Sequence, residues 1–435
     1  MASEWGTAKS LKLEIAPEPA VEGRAMSHGK RVLILVENLP SPFDRRVWQE
    51  ATTLRDAGYL VSIICPTGKG YEKKFEIIEK VHIHRYRLPL EAEGATGYAV
   101  EYVSALFWTW LLTWRVFFTR GFDVIHACNP PDLFFLIGGF FKALGKKFLF
   151  DHHDINPELY EAKFGRRDFF YRLLLRLERL SFQTADVSIA TNESYRQIAI
   201  ERGGMPPERV FVVRSGPSLE RLKPGPGDPA LKCGRRYLVG YVGVMGRQEG
   251  IDYLLHAVRH IVFELGRQDI HFGLVGGGTS LDEMKALAVS LGVADYVTFT
   301  GRVSDEEMLR MLNTADVCVN PDVANPMNDK STMNKIMEYM ALAKPIVQFD
   351  LTEGRYSAQD ASLYAEGNNS LDLAAKLVEL LDDPLRRERM GMSGRRRVLT
   401  ELAWNHEVPK LLAAYRALWQ EQAGRSRAGT ATAPR

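Results

Sequence analysis

The chain has 435 residues, 46% of them hydrophobic and 25% charged, a profile of a soluble globular protein with room for two or three domains of roughly 100–200 residues each. Its formal net charge of +2 gives no bulk attraction to nucleic acid, and no nucleic-acid partner is expected. The cysteines Cys65, Cys128, Cys233 and Cys318 stand far apart with no Cys-x-x-Cys pair, which argues against a zinc site or disulfide scaffold and for a reducing cytoplasm.

Residues 1–30 mix charges and prolines without a long apolar core, so they read as a flexible leader and not as a signal peptide. "RVLILVENL", from Arg31, is a continuous apolar run suited to a strand buried on both faces. "PSPFDRRVWQEATTLRDAGY" then predicts a loop and a helix, with Gly58 suited to a C-cap. "LVSIICP", "FDVIHACNP" and "KFLFDHHD" repeat the strand pattern, with helical "PDLFFLIGGFFKALG" before the last. "ADVSIATNES" and "RVFVVRSGP" complete a doubly wound α/β domain over 31–215. Segment 216–235 is rich in Pro, Gly and charge and reads as a linker. Strand and helix alternate again over 236–402, from "YLVGYVGVMG" to "ASLYAEG". A helix over 403–420 and a polar, disordered tail over 421–435 end the chain. Two Rossmann-like domains of this kind face a central cleft at the C-terminal ends of their strands, where ligands of open α/β sheets bind.

"YVSALFWTWLLTWRVFFTR", 102–120, is densely apolar and holds Trp108, Trp110 and Trp114, but Arg115 interrupts it. Three readings are open. It is a helix packed on the first sheet, a face resting on a membrane, since Trp favours the interface, or a span, for which it is marginal against the usual ~20 apolar residues.

Three motifs in the second half carry chemistry. "VGGGTSLDEMKALA" places Gly276, Gly277 and Gly278 between a strand and a helix, permitting a tight turn or close approach of backbone to ligand. It lacks the third glycine and the acidic partner of a dinucleotide fingerprint. "YVGVMGRQEG" is a similar turn with Gly243, Gly246 and Arg247, whose guanidinium suits phosphate oxygens; the plain alternative is an exposed loop arginine. "DKSTMNKIMEYMALAKPIV" predicts a helix capped by Ser331 or Thr332, with Lys335 and Glu338 one turn apart. Its N-terminal N–H groups and Lys335 suit a diphosphate, and Glu338 suits two adjacent ribose hydroxyls. The plain alternative is a surface ion pair worth about 0.2–0.5 kcal/mol.

With these residues in view, the second domain resembles the nucleotide-sugar half of the retaining family 4 glycosyltransferases, which have the GT-B fold. Their signature sets one glutamate, seven residues and a second glutamate before A-M-A-x-G-x-P-V, and "EYMALAKPIV" is similar to its second half. The resemblance implies ribose binding by Glu338, a nucleobase beside Arg302-Val303, and donor contacts from Asp329 and Asn334. It extends from about Arg31 to Trp419. The chain departs from the pattern in three places. Lys330 stands where the first glutamate belongs, with Asp329 available to substitute. Val244 and Glu249 stand where an arginine and a lysine belong, which leaves Arg247 and Lys335 as the cations for diphosphate. "STMNKIMEYMA" is similar to a subgroup linked to bacterial surface polysaccharides.

The same resemblance makes the first domain the acceptor side. Asp44, Arg45 and Arg46, at a helix start, would touch phosphate or acceptor, or are solvated helix charges. His153 matches a histidine beside the donor sugar, or is structural. Asp151, His152, His153 and Asp154 resemble metal ligands, but alternate residues of a strand point to opposite faces and the four cannot converge without a bend. No Asp-x-Asp pair occurs, so no metal and no cofactor is expected. The expectation is a cytoplasmic enzyme, peripheral on the inner face of the plasma membrane through 102–120. It moves a sugar from a nucleoside-diphosphate donor, UDP preferred, to a saccharide or lipid-linked acceptor, with His153, Arg247 and Lys335 acting in catalysis. The rivals are a sugar-nucleotide epimerase of the same fold and a non-catalytic nucleotide-sugar-binding module.

Overall fold

The computed structural model describes residues 29–88 and 94–420. The leader, apart from its last two residues, and the tail fall outside the described residues. The first sheet contains β1 (Arg31–Leu35), β2 (Leu60–Pro66), β3 (Phe75–Ile78), β4 (Val81–Tyr86), β5 (Val124–Cys128), β6 (Lys147–His152), β7 (Val187–Ala190) and β8 (Val210–Val212). Their order is β3-β4-β2-β1-β5-β6-β7-β8, parallel except for β3, an antiparallel edge strand paired to β4. The parallel strands other than β4 are the apolar runs, because helices cover both faces of such a sheet and leave no polar side. β4, VHIHRY, and its short hairpin partner β3 carry no such run, and neither was predicted.

The second sheet contains β9 (Tyr237–Val242), β10 (Ile270–Val275), β11 (Val297–Gly301), β12 (Val317–Asn320), β13 (Ile346–Phe349) and β14 (Ser362–Ala365), in the order β11-β10-β9-β12-β13-β14, all parallel. Strand order reverses at β1/β5 in the first lobe and at β9/β12 in the second. The loops leaving the strands diverge at these switch points and open a crevice. The residues that follow β1, β5, β9 and β12 are therefore the ones placed to meet a ligand.

The C-terminal helix Trp404–Ala417 returns to the first lobe. Leu411, Ala414 and Tyr415 are fully buried with Val47, Ala51 and Leu54 of helix Arg45–Asp56 against β1, β2 and β5. The last helix thus completes a core that begins near residue 31. Segment 102–120 falls, up to Thr119, within a 26-residue helix, Gly94–Thr119. Trp110 and Trp114 pack edge-on to Phe140, while Phe107, Trp108 and Phe118 are exposed. Among the described residues no helix is long and apolar enough to cross a membrane.

Leu411→Ala removes a fully buried side chain from the seam between the chain's two ends. We expect a loss of about 2–5 kcal/mol of unfolding free energy, measured by urea denaturation.

Candidate functional site

The floor of the first lobe is a buried charge cluster. Asp44 N-caps helix Arg45–Asp56, its carboxylate accepting from the Val47 N–H at 3.1 Å. Helical rotation then sends the next two arginines apart. Arg46 turns inward and is buried. Its Nη2 donates to Asp151 Oδ1 at 2.9 Å and lies 3.1 Å from Glu50, and its Nη1 donates to the Val213 carbonyl at 2.8 Å. Asp151 is the last residue but one of β6, and His153 lies two residues on, on the same face, with Nε2 2.6 Å from Asp151 Oδ2. Arg46 Nε is 2.9 Å from the same nitrogen. That nitrogen cannot both donate to Asp151 and accept from Arg46. An ionised Asp151 favours the Nε2–H form.

Burial alone would push the Asp151 carboxyl up, but Arg46 and His153 more than offset it and hold it well below the usual carboxylate range. Glu50 goes the other way: burial and the Asp151 charge raise its pKa, and Arg46 opposes them. Burial lowers His126 and keeps it neutral. Its Nε2 lies 3.3 Å from Asp151 and its Nδ1 2.8 Å from the Tyr415 hydroxyl, which tautomerically makes it a donor to Asp151 and an acceptor from Tyr415.

The expected strand alternation holds for the histidines. His152 points to the opposite face, 3.4 Å from Glu178. Convergence nonetheless occurs by recruitment from neighbouring elements: Glu50, Cys128, Asp151 and His153 bring their ligand atoms within 4.8 Å of one another. The Arg46 guanidinium lies against three of these four, so the cluster's positive charge is supplied by the chain itself. The His153 N–H donates to Asn129 Oδ1 at 2.6 Å, which ties the loop after β6 to the loop after β5.

The second lobe differs from expectation at its helix mouth. Helix Asn334–Ala341 is capped by Met333 with no side-chain hydrogen bond, and not by Ser331 or Thr332. Those hydroxyls serve the lobe interface. Thr332 Oγ1 accepts from Asn192 at 3.0 Å, and Ser331 Oγ lies 3.0 Å from the Tyr195 hydroxyl. Lys335 is not a free cation. It is largely buried, its Nζ donates to Asp322 Oδ1 at 2.7 Å, and it lies over the Tyr241 ring. Burial pulls Lys335 down, but Asp322 outweighs it and raises the ammonium's pKa. Burial pushes Asp322 up, and Lys335 at 2.7 Å pulls it back.

Glu338 does face the cleft. Its Oε1 accepts from Arg45 Nη1 at 3.2 Å, across from the first lobe, and from Arg221 Nη2 of the inter-lobe segment. Arg45 Nη2 also donates to Asp305 at 2.7 Å. Arg302 lies over the Phe43 ring of the first lobe at 5.1 Å, and Val303 packs into the second lobe's core. Asn334 is exposed at the first helical position.

Other expected contacts are engaged elsewhere. Asp329 accepts from the Thr352 N–H at 2.8 Å and the Thr352 hydroxyl at 3.1 Å, closing the start of helix Thr352–Ala358. Arg247 is exposed, 3.9 Å from Glu283. Gly246 N–H donates to Glu249 at 3.0 Å, so Glu249 caps the turn where the resemblance implied a lysine. A Cβ on Gly276 would stand 1.8 Å from the Gly243 carbonyl, and one on Gly278 2.5 Å from that of Met245. These glycines let the loops after β9 and β10 touch. Gly277 faces the backbone of Arg302 and has room.

Residues 44–221 match the family described as Glycosyltransferase Family 4, and residues 236–383 that described as Glycosyl transferases group 1. The chain thus carries a glycosyltransferase family 4 region in its first lobe and a glycosyl transferases group 1 region in its second, and its fold is GT-B. It is 30% identical over 244 residues to the D-inositol 3-phosphate glycosyltransferase of Thermomonospora curvata, covering 52% of this chain and 55% of that one. The chain thus spans about half the length of that curated relative. Its fold is similar to sucrose-phosphate synthase from Thermosynechococcus elongatus, with TM-score 0.73, 18% identity, and coverage of 89% of this chain and 99% of that one. It is also similar to Anabaena HepE in complex with UDP and glucose, with TM-score 0.69, 14% identity, and coverage of 89% and 100%.

Arg46→Met leaves Asp151 buried without its guanidinium. We expect a loss of about 3–5 kcal/mol at neutral pH by denaturant unfolding. Asp151 contributes stability above its unfolded pKa that is lost only as pH falls through its depressed folded value. The deficit of the variant should therefore shrink as pH drops through the carboxylate range, and Asp151→Asn in the same background should recover part of it.

Proposed function

We propose that the chain is a retaining, metal-independent glycosyltransferase that transfers a sugar from a nucleoside diphosphate, UDP preferred, to a hydroxyl of a saccharide or lipid-linked acceptor in polysaccharide or glycoconjugate assembly. The observation that carries this reading is Glu338: a carboxylate at the inter-lobe crevice, held by arginines from outside its own lobe. Such a carboxylate is a bidentate acceptor for the two ribose hydroxyls. UDP is preferred because the fold neighbour HepE binds it.

The diphosphate then lies near Arg45, Arg221, Arg302 and Arg247, all with guanidinium exposure toward solvent or the cleft. Electrostatic stabilisation of the leaving diphosphate falls to these side chains. Lys335 takes a supporting part and positions Asp322. His153, tied to Asp151, sits at the sugar side of the cleft. In transfer the bond from anomeric carbon to diphosphate oxygen breaks, a bond to the acceptor oxygen forms on the same face of the sugar, and the acceptor hydroxyl's proton passes to the departing diphosphate oxygen. Metal independence is supported by Arg46, which occupies the acidic cluster that a cation would otherwise use. The enzyme works in the cytoplasm with peripheral contact at the inner face of the plasma membrane through 102–120.

One test separates this reading from its rivals. Wild-type chain with a UDP-sugar should release UDP only when an acceptor is present. Sugar isomerisation without acceptor marks an epimerase, and no conversion under either condition, despite a UDP-induced rise in Tm, marks a binding module. His153→Ala should lower kcat by roughly 10²-fold or more, the range for a positioned acid–base group. Unchanged turnover removes His153 from the chemistry.

A further inference from the structure

Three helices lie side by side on one face of the first sheet: Gly94–Thr119, Phe135–Ala143 and Phe169–Thr184. Trp110 of the first meets Phe140 of the second at 5.2 Å between ring centroids. Lys142 Nζ of the second donates to the Thr184 carbonyl of the third at 2.6 Å. Their inner stripes fill the core, but their outer stripes are not those of a solvated surface. Phe118 is 77% exposed and Phe169 63% exposed, with Phe107, Phe140 and Phe170 also open. Val100, Val103, Ser104 and Phe107 line an open apolar groove on the first helix.

The third helix adds charge. Phe169, Arg172, Leu173, Arg176, Arg179 and Leu180 recur at three- and four-residue spacing and are all exposed, so cations and apolar groups share one stripe. No carboxylate lies within ion-pair distance of Arg172, Arg176 or Arg179 among the described residues. The helix's own acid, Glu178, is buried on the inner side and held by Arg202. The helix is therefore polarised, positive outward.

We propose that this three-helix face docks on an anionic phospholipid surface. Helix Gly94–Thr119 inserts aromatic and aliphatic groups at the headgroup boundary, and helix Phe169–Thr184 pairs its arginines with lipid phosphates. Arginine suits both requirements, since its stem lies along apolar surface while its guanidinium reaches the phosphate plane. A second copy of the chain is the poorer occupant, because a twofold contact would bring one basic stripe toward another. The proposal rests on the membrane contact already assigned to 102–120 and extends it to a second helix and to lipid charge.

The full chain is tested by flotation with phosphatidylcholine vesicles and with vesicles of equal parts phosphatidylcholine and phosphatidylglycerol. Two variants with wild-type thermal unfolding are compared: Arg172→Gln/Arg176→Gln/Arg179→Gln, and Phe107→Ser/Trp108→Ser. Wild type should float with the anionic vesicles. The arginine variant should partition roughly 100-fold more weakly onto them, at about fivefold per cation. The aromatic variant should lose binding to both kinds. Wild-type flotation by the arginine variant on anionic vesicles, with the aromatic variant failing, overturns the proposal and leaves the 102–120 contact standing. No flotation of wild type on either vesicle overturns both. A wild-type dimer in sedimentation that the arginine variant disperses assigns the face to a second copy and overturns the lipid assignment.

Discussion

Arg46 buried against Asp151 is the interaction on which the site depends. A carboxylate at the end of a central strand is excluded from water and would protonate without a cation. The guanidinium keeps it ionised, and the ionised carboxylate orients His153 through a 2.6 Å contact. His126 reaches the same carboxylate and is itself held by the Tyr415 hydroxyl, so the C-terminal helix is linked to the cleft floor through one buried polar chain. Satisfied networks of this kind rigidify their surroundings because a missing member leaves a neighbour unpaired at low dielectric.

Arg45, one residue earlier, does the opposite. It is exposed, leaves the first lobe, and meets Glu338 and Asp305 of the second. One helix start thus holds its own lobe together and touches the other. The two arginines on Glu338 neutralise a carboxylate that a sugar hydroxyl could otherwise bind. Under the proposed reading, a ribose at Glu338 would share or displace Arg45, whose other guanidinium nitrogen is held by Asp305, and would turn it toward phosphate. Bidentate Arg–phosphate geometry favours that exchange.

Much of this fold was legible in the chain. Apolar runs without alternation marked the buried parallel strands, and Glu338 stood one turn into a helix before the next strand, where a cleft residue belongs. The partners of charged residues were not legible. Lys335 looks the same in sequence whether it is free or bound to Asp322, and Arg221 lies 117 positions from Glu338 in a stretch whose composition reads as linker. Ser331 and Thr332 had the chemistry of caps, but the lobe interface competes for the same hydroxyls and wins. Arg45 and Arg46 are identical and adjacent; only the angle between successive helical residues, about 100°, separates a cleft residue from a core residue. The resemblance read in the sequence marked Lys330, Val244 and Glu249 as departures, and the observed cap at Glu249 gives one of them a local structural cause.

The central claim is that Glu338 reads ribose between the lobes. Its most direct measurement is calorimetric binding of UDP and of 2′,3′-dideoxy-UDP to wild type and to Glu338→Ala. A bidentate, charge-assisted contact predicts at least tenfold tighter binding of UDP by wild type, about 1.4 kcal/mol or more, and no such preference in the variant. An equal preference in both proteins, or none in wild type, would contradict the account.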